Sequence, residues 1–267
     1  MHEQHRGFSL IGLLITVVCI IVLFTISMSA LNRAVTGNGS AVSGTVRSTQ
    51  DMIYLRSLHL AMMTASNETR RGRFPVPSMI AQSDDWSLNT TANLYSSMIA
   101  GNYISPDILI SGNEYSPHVE RISYYDYTAY NPTRGEYWDR GFQADLASRS
   151  HVSFAHMPLF GERYERHWQA TSTRRGVLIG NRGPRDGIDD PQSYSYGRSG
   201  VWGGHVLYSD GSIEFYQTFT PPGLTFERHG HVEQDNLFAM DDGPDGVDAI
   251  LSFTREMTRS GPVLQHD

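Results

Sequence analysis

Residues 8–30 read FSLIGLLITVVCIIVLFTISMSA, 23 positions without a charge. At 1.5 Å per residue a helix of that length spans roughly 34 Å, enough to cross the hydrocarbon core of a bilayer. No other stretch of the chain approaches it, so the sequence predicts one membrane span at most. A short hydrophilic leader, MHEQHRG, precedes the run and Arg33 follows it. Arg6 and the initiator amine lie before the span and most of the chain after it. That predicts an amino terminus in the cytoplasm and a carboxy-terminal part on the far side of the membrane. A cleaved secretory signal has an apolar core of only about 7–15 residues. It and a plain single-pass anchor are the competing readings of this run.

Outside the run the composition is different. Residues 8–30 hold 17 of the roughly 104 apolar residues, and the other 244 positions are only about 36% apolar. That supports a modest core within a loop-rich chain, and 29 aromatics spread along the length argue against disorder. At about 150 residues per domain, 267 residues leave room for one or two domains. The net charge is −7, of which residues 231–267 carry −6, so a nucleic-acid partner is not expected: phosphate binding needs a basic face. Cys19 is the single cysteine, which excludes disulfide scaffolds, four-cysteine zinc sites and redox pairs.

The boundary of the apolar run, Arg6-Gly7 followed by Phe8-Ser9-Leu10-Ile11-Gly12-Leu13-Leu14-Ile15, resembles the leader and first helix of type IV prepilins and type II secretion pseudopilins. The resemblance implies cleavage by a prepilin peptidase between Gly7 and Phe8 and methylation of Phe8 as the new terminus. It also implies assembly with other pilin or pseudopilin subunits. One position departs from the family, which usually has a glutamate where Gly12 stands. That carboxylate is expected to neutralise a neighbouring subunit's terminal amine, and unpaired charge within a membrane is costly.

Further along, TGNGSAVSGT (36–45) holds three glycines and predicts a break in the helix. Met52, Leu55, Leu58 and Met62 then recur at helical spacing, predicting an amphipathic helix over 46–66 that ends near Asn67. The turn at Gly72–Pro75, a short helix carrying Leu94, and Gly101–Pro106 with Asn102 inserted again resemble a pseudopilin. The resulting organisation is a leader over 1–7, a transmembrane helix over 8–35, a glycine-rich break over 36–45, a periplasmic α+β domain over 46–257 and a frayed tail over 258–267. The expected fold class is α+β: a long amino-terminal helix, half transmembrane and half amphipathic, packed on a mostly antiparallel sheet with long loops.

Segments 119–125, 151–155, 175–180, 204–209 and 212–219 read as strands. Asp210-Gly211 closes a hairpin and resembles the end of the H-x9-D-G element of bacterial prepilin-like proteins, although Gly200 stands where its histidine would be. Candidate chemistry is sparse, and no enzyme is expected: no nucleophile elbow, phosphate-cradling loop or His-Glu-x-x-His occurs. His229-x-His231 offers two imidazoles on one strand face, as a zinc site uses, or a solvated pair. The tyrosines between Tyr124 and Tyr137, with Trp138, form either strands over a small core or an interface or sugar platform. Asp241, Asp242, Asp245 and Asp248 fall within eight residues among glycines. Hard oxygen donors so spaced suit Ca2+, as in the late loops of several pseudopilins; a solvated acidic turn is the alternative.

Overall fold

The computed structural model describes residues 39–68, 72–172 and 175–267, and side chains from Arg47 onward. The leader, Gly7, Phe8, Gly12 and the 8–30 run lie outside the described residues. Among the described residues no helix is long and apolar enough to cross a membrane. One compact unit spans Arg47–Asp267.

The first described element is helix α1, Gly39–Glu68. The break expected over 36–45 is therefore not found from residue 39 onward. Gly44 sits inside the helix, and one interior glycine costs only about 1 kcal/mol, little against extension of a helix already nucleated. Leu55, Leu58, Ala61, Met62 and Ala65 form its buried stripe. Met52 does not belong to it: Met52 is exposed, and the position one turn before Leu55 is taken by the buried carboxylate of Asp51.

A turn with Gly72 at positive φ leads through Phe74 and Pro75 to the short helix α2, Pro77–Ile80. Helix α3, Thr91–Ala100, starts under a Thr90 cap and buries Leu94, Tyr95, Met98 and Ile99. It stops at Gly101, and Asn102 takes the left-handed conformation beyond it. Helix α4 is Gly161–His167.

The strands are β1 (Ala144–Asp145), β2 (Arg149–Ser150), β3 (Phe154–His156), β4 (Val177–Asn181) and β5 (Gly204–Tyr208). After them come β6 (Ile213–Tyr216), β7 (Thr225–Arg228), β8 (His231–Gln234), β9 (Phe253–Thr258) and β10 (Gly261–Gln265). Antiparallel β3-β4-β5-β6 is the main sheet, and the remaining strands form three two-stranded ribbons, β1-β2, β7-β8 and β9-β10. All five residues of β5 are buried, so this strand is covered on both faces. The fold is α+β with mostly antiparallel strands, as expected.

Two further expectations fail, at 119–125 and in the tail, and of the two readings of His229-x-His231 the solvated pair holds, both histidines being exposed. Residues 119–125 form no strand; only a bridge from Val119 to Ser150 remains. The segment at 229–231 is a hairpin turn: His229 and Gly230 both have positive φ, the geometry of a two-residue primed turn, and β7–β8 pair on either side. The tail is not frayed, because β10 pairs with β9. The sequence hides this strand because it opens on Gly261-Pro262 and its residues from Pro262 onward are half-buried without alternation. The register shift opposite Val263 and Leu264 falls in β9, where Arg255 is the extra residue.

Candidate functional site

The acidic loop at 241–248 folds around a cation supplied by the chain itself. Arg163, in the first turns of α4, is fully buried beneath the loop. Its Nε donates to the Asp248 carbonyl (3.0 Å), Nη1 to that of Pro244 (2.7 Å) and Nη2 to that of Gly243 (2.7 Å). Nη2 also pairs with the Asp248 carboxylate at Oδ1. The other carboxylate oxygen of Asp248 accepts from the backbone amides of Asp241 (2.7 Å) and Asp242 (3.2 Å). Amides at the start of α4 complete the dock, Glu162 donating to Asp245 and Arg163 to Gly246.

The four aspartates therefore do not converge on a common point. Asp242 accepts from the Val247 amide (3.1 Å) and lies 3.5 Å from Arg228, and Asp245 is exposed. Among the described residues no three acidic, histidine or cysteine side chains form a metal-sized group. The donor set expected for Ca2+ does not fit the ion: its central carboxylate and three loop carbonyls already hold a guanidinium, which supplies the charge without the six to eight oxygens calcium needs. Nothing in the sequence near residue 163 signals this role; the partners are some eighty residues apart.

Asp235, just upstream, adds a second buried carboxyl. Its Oδ2 accepts from the Ala249 amide (2.8 Å), whereas Oδ1 is buried without a hydrogen-bond donor. Burial first, and then the negative charges of Asp248 and Asp241, push it up to about 7. Burial and the charge of Asp248 likewise raise Asp241.

A second polar centre ties α1 to the sheet. Asp51 accepts from Ser111 Oγ (2.7 Å), the Gly112 amide (3.0 Å) and Asn181 Nδ2 (3.1 Å). Burial raises its carboxyl, against the pull of these donors. One turn earlier, Ser48 Oγ lies 3.4 Å from His205 Nε2 on β5. Serine, histidine and aspartate are neighbours here, but both aspartate oxygens are engaged by other groups, so the cluster clamps a helix and orients no imidazole. Beside it, the buried Arg182 pairs with Glu114 and, at 3.3 Å, with Asp267 near the chain's last strand.

His156 is a core histidine: Nδ1–H donates to the Met157 carbonyl (2.7 Å), and Nε2 faces Thr91 Oγ1 (2.8 Å). Burial holds it down at about 4. The aromatic stretch divides. Tyr125 and Trp138 are buried and anchor to α3 through Ser96 and Asn93, while Tyr124, Tyr127 and Tyr130 are exposed on loops. The turn at Asp210-Gly211 packs on α1, with Gly211 at positive φ against the His59 ring.

No family model matches this chain, and neither a curated protein nor a solved structure similar to it was found.

Proposed function

We propose that this chain is a pilin-like structural protein: a subunit or accessory part of a type II secretion pseudopilus or type IV pilus-like filament, processed by prepilin peptidase. One observation carries the reading, the Arg6-Gly7-Phe8-Ser9-Leu10-Ile11 boundary at the head of a single 23-residue apolar run. The long helix α1, which follows that run and carries an α+β domain on its buried stripe, supports it. In this reading the apolar segment anchors the protein in the inner membrane and packs against other subunits, with the domain displayed on the periplasmic or extracellular side. Small residues such as Gly12 and Ser27 permit close helix approach.

Terminal-peptide mass spectrometry tests it. The mature chain should begin at methylated Phe8, and a bulky replacement of Gly7 should abolish the cut. A mature terminus near Ser29–Ala30, or an intact Met1, overturns the proposal. A second reading, a membrane-anchored extracytoplasmic binding protein that does not polymerise, draws support from the exposed aromatic surface around Trp86. Sheared filaments containing the protein would decide against it.

A further inference from the structure

Of four tryptophans, three are buried; Trp86 alone is open, 46% exposed. It heads a short 3-10 turn, Trp86–Leu88, capped by Asp85. Its ring stands edge-on to the buried Tyr164 of α4, 6.0 Å between centroids at 88°. Arg73 lies 5.0 Å from the centre of the same tyrosine and pairs with Glu165. The indole is thus held upright by a packed stack and is not a loose surface side chain.

Two hollows meet here, both lined by Trp86 and Tyr164. The first, about 480 Å³, is floored by Phe74, Val76, Met79 and Ile80, with Asp84 at its rim. The second, about 600 Å³, runs over Phe160 and Gly161 towards Glu162, Asp245 and Arg259. Both fall in the size range of ligand sites. Met79 and Ile80, which line the same hollow as Trp86, are exposed too, an apolar patch of the kind that marks a binding surface. Four carboxylates line the two hollows. Glu165 is paired with Arg73 and Glu162 with Arg166, while among the described residues Asp84 and Asp245 enter no ion pair, and the single further guanidinium lining the hollows is that of Arg259.

We infer that this face binds an extended, basic peptide segment of a partner protein, with a cationic side chain over Trp86 and aliphatic side chains in the two hollows. Three features converge on that occupant. An indole face bordered by carboxylates favours a cation, through the ring quadrupole and through charge. Two apolar hollows that share Trp86 and Tyr164 offer adjacent seats for side chains along an extended chain. The rigid stack behind Trp86 lowers the ordering cost of binding. The inference rests on residues within Arg47–Asp267 and does not depend on whether the protein enters a filament.

The test uses the full chain in detergent micelles and acrylamide quenching of tryptophan fluorescence, to which Trp86 is the accessible reporter. The probes are an acetylated heptapeptide of leucine, arginine and glycine, its glutamate-for-arginine counterpart, and arginine amide alone. The arginine peptide is expected to cut quenching about twofold at saturation. The glutamate peptide should leave it unchanged, and added salt should weaken the protection. By anisotropy of a labelled arginine peptide, Trp86→Ala should weaken binding about fivefold or more, with Trp86→Phe in between. Asp84→Asn, at an exposed rim position, should weaken it less and reduce the salt dependence. Equal protection by both peptides would show an apolar surface without charge selection. Protection by arginine amide as strong as by the peptide would show a small-cation site. Either result, or no protection at all, overturns the inference.

Discussion

At the scale of single residues, the buried arginine explains more than the aspartates that surround it. Removing one partner of a buried pair strands the other charge, at a cost of about 3–5 kcal/mol. Asp248→Asn should therefore lower the unfolding free energy by roughly that amount in denaturant titrations, whereas Asp245→Ala, at an exposed position, should change it little. Because Arg163 occupies the loop, melts in millimolar calcium and in chelator are expected to coincide. A calcium-induced rise would show that the outer carboxylates bind the ion without Asp248. Asp235 makes a separate prediction. Its carboxyl is raised from 3.8 to about 7, so folding binds a proton there, and the group's stabilising share is lost as pH climbs from about 4 to 7. His156 works in the other direction: lowered from 6.5 to about 4, it favours folding at higher pH and loses that contribution as pH falls through the same window. Asp235→Asn should remove the first slope and leave the second. Measured against the parent, the variant should gain stability between pH 4 and 8, by an amount of order 2–4 kcal/mol. A difference that does not vary with pH would mean that Asp235 titrates normally.

At the scale of elements, the last strand acts as a clasp. Asp267 accepts from Ser193 Oγ (2.8 Å) and the Ser195 amide and pairs with the buried Arg182, while Gln265 bridges to Asp145 (2.7 Å) and the Leu146 amide (3.0 Å). The end of the chain thereby holds the 193–196 turn and the β1 region together. Asp267→Ala would remove one carboxylate partner of the buried Arg182 and an acceptor of the part-buried Ser195 amide, at about 1–3 kcal/mol. A frayed tail would instead tolerate the change without effect, so a shift in melting temperature separates the two. The amphipathic half of α1 and the Asp210-Gly211 hairpin were legible because their signals are local: a repeat of three and four, and a turn dipeptide between alternating runs. The tail was not, since its strand opens on Gly-Pro and its half-buried residues lack the period-two pattern that identifies a strand.

For the molecule as a whole, the proposed assembly makes its own prediction at Gly12. If Gly12 replaces a carboxylate that normally neutralises a neighbour's terminal amine, then Gly12→Glu should raise the fraction of protein recovered in sheared filaments. Equal or lower recovery would mean that the amine has another partner. Sequence alone determined the features that depend on nearest neighbours along the chain. These are an apolar run of membrane-crossing length, the boundary motif at its head, the helical stripe after it and the α+β class with antiparallel strands. Composition also argued against a nucleic-acid partner, because net charge needs no fold to be counted. Tertiary structure alone decided the rest. Arg163 reaches the acidic loop, Asp51 becomes a buried clamp between a helix and a strand 130 residues away, and Trp86 lines two hollows. The physical reason is the same in each case. A charge or an aromatic ring acquires its role from the groups folded against it, and burial, pairing and exposure are properties of contacts between residues far apart in the chain.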